Sequence, residues 1–197
     1  MPLVPVSDLT AADWLTGADE PWGRLVTMGP AGYAAYARLR FIPDPEHPGQ
    51  QEADRERPDG SPSDIEQLRM AATVLTRHTR SPDDAWHCLW DGWGPALPPE
   101  VLAGPRVQLP NRDFFLFRGP LAELGEWPEA DGRTGPPRDD LPPAFVWPQD
   151  RAWCLTCDVD PHWAGIGASE EAVEELVAHP RLDVVVVDPA ADQPFYY

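Results

Sequence analysis

The densest run of chemically capable side chains is Cys154-Leu155-Thr156-Cys157-Asp158-Val159-Asp160-Pro161-His162. A Cys-x-x-Cys pair chelates zinc when a tight turn aims both sulfurs at one point. Here the surrounding residues, Arg151 to Val159, read as a strand, and strand residues three apart face opposite sides. The spacing therefore predicts that Cys154 and Cys157 diverge as buried thiols and hold no metal. A redox dithiol needs its cysteines at a helix N-terminus, which this segment does not offer. Asp158 and Asp160 share one face at the end of the strand, with His162 just beyond. Carboxylates so placed can hold Mg²⁺ or Mn²⁺ and leave positions open for a substrate phosphate. The other reading is that they end the strand and solvate the turn before Pro161, as Asp commonly does. Asp158, Asp160 and His162 are thus the candidate catalytic residues, and Asp158 and Asp160 the candidate metal ligands.

Other motifs carry less. Gly165-Ile166-Gly167-Ala168-Ser169 lies before a helix, where backbone amides can receive a phosphate. It lacks the third glycine of a dinucleotide fingerprint and the lysine of a P-loop, and Glu170 and Glu171 stand where the anion must go. No Gly-x-Ser-x-Gly or His-Glu-x-x-His occurs. A nucleophilic dyad of Cys88 or Cys154 with His87 or His162 would have to be assembled in space, because adjacent strand residues such as His87 and Cys88 point apart. The sequence implies no cofactor.

The elements that must position these residues can be read from pattern. Ser63-Asp64-Ile65-Glu66 has capping-box spacing. Ile65, Leu68, Ala72 and Leu75 then form one stripe of a helix running to about His78. Ser7-Asp8 caps a short helix over Thr10 to Leu15, stopped by Gly17. Strands are expected at Leu25 to Met28, Tyr33 to Ile42, Ala85 to Trp90, Val107 to Leu109 and Asp113 to Phe117, the last two joined around Pro110-Asn111-Arg112. In the last quarter the pattern gives a strand (Arg151 to Val159), a loop (Pro161 to Ala168), a helix capped by Ser169 (Glu170 to Ala178) and a strand (Leu182 to Val187). Together these make a right-handed βαβ unit, and the valine run predicts a central position in the sheet. Residues 43–62 and 127–143 are rich in Pro, Gly and charge and read as loops or disorder. The expected fold is one α+β domain with a mixed, mostly antiparallel sheet of six or seven strands, two or three helices and these two long loops.

The stretches Trp86-His87-Cys88-Leu89-Trp90-Asp91-Gly92-Trp93-Gly94, Pro105-Arg106-Val107-Gln108-Leu109-Pro110 and Asp150-Arg151-Ala152-Trp153-Cys154 resemble an uncharacterised actinobacterial family. Its members carry a Trp-rich segment, a hairpin and a Trp-Cys strand in this order. The start of the last helix and its exit, His179-Pro180-Arg181-Leu182, are similar too. The resemblance covers roughly residues 30 to 190. It implies a single soluble domain and no particular activity.

Composition bounds the partner. The 197 residues hold 33 Asp plus Glu against 15 basic residues, every one arginine, for a net charge of -18. Such a chain has no general affinity for nucleic acid, whose phosphates need cations. A basic protein is the partner class that this charge favours. The exposed helix face Glu170, Glu171, Glu174 and Glu175, the loop residues Asp139 and Asp140, and tryptophans beside glycine or proline such as Trp93 and Trp163 are the candidate partner contacts. Three cysteines are too few for a disulfide framework. The N-terminus shows no secretory pattern, and no aliphatic run is long enough to span a bilayer. These features predict a reduced, cytoplasmic chain acting away from membranes. A non-catalytic binding module of inhibitor, immunity or regulatory type is the leading expectation. A metal-dependent enzyme acting on a small polar or phosphorylated substrate through Asp158, Asp160 and His162 is the alternative.

Overall fold

A computed structural model describes residues 3–55, 60–93, 97–128 and 141–197. Among the described residues nine strands join one sheet: β1 (Val4–Pro5), β2 (Ala35–Arg40), β3 (Ala85–Trp90), β4 (Val107–Leu109), β5 (Arg112–Gly119), β6 (Phe145–Pro148), β7 (Cys154–Thr156), β8 (Trp163–Ala168) and β9 (Val184–Val186). Their order is β1-β5-β3-β6-β7-β8-β2-β9, with β4 also on β5. Every pairing is antiparallel. Among the described residues five α-helices accompany the sheet: α1 (Asp13–Thr16), α2 (Trp22–Met28), α3 (Asp64–Leu75), α4 (Pro99–Leu102) and α5 (Glu170–Val177). The class is α+β as expected, with more and shorter elements than the sequence pattern suggests. None of the described helices is long and apolar enough to cross a membrane.

The two faces of the sheet carry different cores. α3 and α5 cover one with Leu68, Leu75, Val173 and Leu176 against Leu39, Leu155 and Ile166. α1 and α2 cover the other with Leu15, Leu25 and Val26 against Cys88, Phe145, Trp147 and Cys154. Burying both faces of one sheet is what lets a chain of this length form a substantial core. α3 starts where the capping box places it: the Glu66 amide donates to Ser63 Oγ at 3.3 Å, and the Ser63 amide to Glu66 Oε2 at 2.7 Å. The β4–β5 hairpin turns at Asn111, whose φ of 65° is one that Asn tolerates better than most residues.

Four local expectations are corrected. Leu25 to Met28 is helical, as the C-terminal part of α2, because a four-residue apolar run has no period to separate strand from helix. Pro161 to Ala168 is not a loop: β8 occupies Trp163–Ala168, and all six residues are buried. Its glycines serve close approach rather than turning. A Cβ on Gly165 would lie 2.0 Å from the backbone oxygen of Thr27, and one on Gly167 2.4 Å from the Tyr33 ring. The crossover through α5 therefore starts from β8, not from the strand at Arg151 to Val159, and the strand there is only Cys154–Thr156. β8 and β9 both run antiparallel to β2 and flank it, so the expected βαβ unit is split by a third strand. Finally, β9 lies at the sheet edge rather than its centre. Val184 is buried among α3 and α5 residues, whereas Val186 is 64% exposed. The valine run stays paired with β2 along the edge, Val185 and Val187 half-buried and the Val187 amide donating to the Tyr36 oxygen at 2.9 Å.

Candidate functional site

Strand alternation places the two cysteines as the spacing predicts. Cys154 packs in the α1–α2 core and Cys157 in the α3–α5 core, on opposite faces of the sheet. Burial pushes both thiols, and that of Cys88, well above the usual thiol range, so all three stand as neutral core groups. Among the described residues, no group of three or more His, Cys, Asp or Glu is arranged to hold a metal ion.

Asp158 and Asp160 do converge, but on a guanidinium. Arg112, at the start of β5, donates through Nε to Asp158 Oδ1 at 3.2 Å and through Nη2 to Asp160 Oδ2 at 3.1 Å. The Arg112 guanidinium carbon also lies 5.1 Å from the centre of the Trp90 ring and 5.9 Å from that of Trp22. A cation wedged between two carboxylates takes the place that a divalent ion would need. His162 takes no part in this. It is 4% exposed, and its Nε2 meets Asp44 Oδ1 at 3.0 Å. Asp44 also accepts from Arg38 at 2.7 and 3.0 Å and from Arg40 at 3.0 Å. Partial burial alone would raise the Asp44 pKa, but the hydrogen bonds from Arg38 and His162 outweigh it and hold it at about 2. The His162 pKa is lowered by burial, against the pull of Asp44. The sequence trio is thus divided between two ion-pair clusters.

The C-terminal segment closes over the second cluster. Trp163 Nε1 donates to the Pro194 oxygen at 3.1 Å, and Phe195 lies against the Trp163 ring. Tyr196 meets His162 edge-on at 4.7 Å and donates its hydroxyl to the Pro43 oxygen at 2.6 Å. Trp163, expected as an interface anchor, is therefore a buried residue beneath the chain's own tail.

Between this tail, α2 and the β7–β8 turn lies a cleft of about 340 Å³. Two of the few exposed large apolar side chains, Trp22 at 39% and Phe195 at 42%, line it. Asp158, Asp160 and Asp192 supply carboxylates, and Arg24 a cation that has no carboxylate partner among the described residues. Pattern found the acidic pair because it is local in sequence. It reaches Trp22 as one of the tryptophans beside glycine or proline, and it gives no sign of Arg24, Arg112, Asp192 or Phe195. These come from α2, the β4–β5 hairpin and the tail, and no periodicity links such segments.

The other candidate contacts separate as follows. Glu170, Glu171 and Glu174 are exposed on α5. Glu175 is half-exposed and paired with Arg77 and with His78 Nε2, the latter at 2.6 Å. Trp93 is half-buried, edge-on to Trp90 at 5.7 Å. Asp139 and Asp140 lie outside the described residues. Comparison with protein-family models, curated proteins and solved structures found no match to this chain.

Proposed function

We propose that this protein is a non-catalytic binding module that recognises a basic protein, and that the Trp22–Phe195 cleft receives a cationic side chain of that partner. The observation that carries this reading is the pairing of two exposed aromatic side chains with the exposed Asp192 carboxylate in one cleft of a strongly acidic chain, Asp158 and Asp160 being held already by Arg112. Aromatic faces and carboxylates both favour a guanidinium or ammonium group, and the net charge draws it in from a distance. Aromatic anchors next to a charged rim are also the usual composition of an interface hot spot. A reduced, cytoplasmic setting accords with three buried free thiols.

Short arginine- and lysine-rich peptides test the proposal, with Trp22→Ala as the variant. Because Trp22 is partly exposed, its removal should leave the melting temperature nearly unchanged and weaken peptide binding at least tenfold. Association should slow as salt rises from low to physiological strength. Affinity that follows peptide charge alone, equal in the wild type and in Trp22→Ala, refutes the cleft.

The alternative, a metal-dependent enzyme using Asp158, Asp160 and His162, is weakened by Arg112 between the carboxylates and by the attachment of His162 to Asp44. Mg²⁺ or Mn²⁺ at millimolar concentration should leave the melting temperature unchanged. A cation-dependent rise that disappears in Asp158→Asn reverses the preference.

A further inference from the structure

A larger groove, of about 840 Å³, lies elsewhere, at the end of the sheet near β1. Its floor is a row of cross-strand neighbours: Val4 on β1, Arg118 on β5 and Trp86 on β3. This floor is fixed. Arg118 forms a bidentate pair with Asp84 at 2.6 and 2.7 Å and lies over the Trp86 ring at 5.1 Å. Trp86 Nε1 in turn donates to Gln149 Oε1 at 2.7 Å.

Two groups in the groove are left over. Arg151 adopts a φ of 52°, a left-handed conformation that its Cβ makes unfavourable and that Gly or Asn takes more readily. The turn around it is rigidly made: Asp150 accepts from Thr79 Oγ1 at 2.7 Å, the Arg80 amide at 2.8 Å and the Ala152 amide at 3.2 Å. The Arg151 guanidinium stacks 5.1 Å over Trp14 and is exposed. Among the described residues it has no hydrogen bond or ion pair, although acidic residues outnumber arginines more than twofold in this chain. Asp83 lines the same groove, exposed and without a hydrogen bond or ion pair among the described residues. A strained backbone that presents an unpaired cation at a groove is the pattern of a residue kept for what it binds.

Charge then selects the ligand. Asp84 is offset by Arg118, which leaves Arg151 against Asp83, with Asp8 nearby holding the Thr10 amide at 3.0 Å. A simple anion would meet the uncompensated carboxylates, and a simple cation would leave Arg151 unanswered. We propose that this groove is a second binding site, independent of the Trp22–Phe195 cleft. Its ligand is a small zwitterion whose carboxylate pairs with Arg151 and whose ammonium pairs with Asp83, as in a free amino acid or a short peptide. A guanidinium suits such a carboxylate because it can donate two parallel hydrogen bonds.

The test is thermal shift and calorimetric titration with L-glutamine, trialanine, succinate and putrescine, using Arg151→Gly, Arg151→Lys and Asp83→Asn. One of the two zwitterions should raise the melting temperature by a few degrees, and which one does so separates an amino acid from a peptide. Arg151→Gly relieves the left-handed strain, so without ligand it should melt at or above the wild-type temperature while binding at least tenfold more weakly. Arg151→Lys should retain part of the binding, and Asp83→Asn should lose most of it. Failure of both zwitterions to bind overturns the proposal. So does equal binding of succinate or putrescine, or a shift that persists in Arg151→Gly.

Discussion

Gly165→Ala should destabilise the protein by on the order of 3 kcal/mol, or prevent folding altogether. At this position β8 and α2 touch through their backbones. The added methyl would meet the Thr27 carbonyl oxygen at 2.0 Å, Thr156 Oγ1 at 2.7 Å and the Met28 Cα at 3.0 Å. Thr156 Oγ1 also donates to the Thr27 oxygen at 2.5 Å, so the same contact carries a hydrogen bond joining β7 to α2. A backbone carbonyl has no rotamer through which to move aside, so α2 must shift as a unit, and α2 forms one wall of the Trp22–Phe195 cleft. Gly23→Ala, one turn earlier on α2, is the matched control. A Cβ there has nothing within 4 Å, and the substitution should be neutral or stabilising by about 0.5 kcal/mol. Chemical denaturation of both variants checks the pair. Equal, small effects would remove the close approach from the account of the fold.

The second large effect concerns pH. His87, on β3, is fully buried, and among the described residues neither ring nitrogen has a hydrogen-bond partner at normal distance. Burial lowers its pKa to about 4, offset only in part by the backbone of Gly119 and Pro120. In the unfolded chain the imidazole titrates near 6.5. Below that pH the unfolded state binds a proton that the folded state refuses, so stability falls as pH drops from about 6.5 to about 4 and then levels off. The difference between the two pKa values corresponds to about 3 kcal/mol. His87→Leu should remove this component, because an apolar side chain of similar reach needs neither proton nor partner. Urea titrations between pH 7 and pH 4 should therefore show the variant gaining on the wild type by about that amount. A constant difference across the range would mean that His87 is solvated or hydrogen-bonded in the folded protein.

Much of the fold was legible where the determinant is local. Ser63 and Glu66 lie three residues apart, and a capping box needs nothing further. Alternation along β3, and across Cys154 and Cys157, follows from strand geometry alone once the strand is recognised. The misreadings share one cause. By pattern Gly165 and Gly167 read as a loop, because glycine marks turns when its neighbours are unknown. Only the approach of α2, Tyr33 and Tyr36 to that strand reveals that the missing side chains make room. The valine run at β9 likewise looked central because sequence reports how apolar a segment is, not how many of its sides are covered.

The candidate site divides in the same way. By itself the sequence determined an acidic, arginine-only chain, an α+β pattern, and a carboxylate pair at Asp158 and Asp160 that had to emerge at the end of one strand. Tertiary structure decided what that pair does. Arg112 is 46 residues away from Asp158 in the chain and reaches both carboxylates only because β5 and the β7–β8 turn meet in space. His162 lies two residues beyond Asp160 yet belongs to Asp44, 118 residues away. Charge and periodicity are properties of neighbouring residues and survive in one dimension. The partner of a charged group is whichever opposite charge the packed backbone brings within about 3 Å, and that distance exists only after folding.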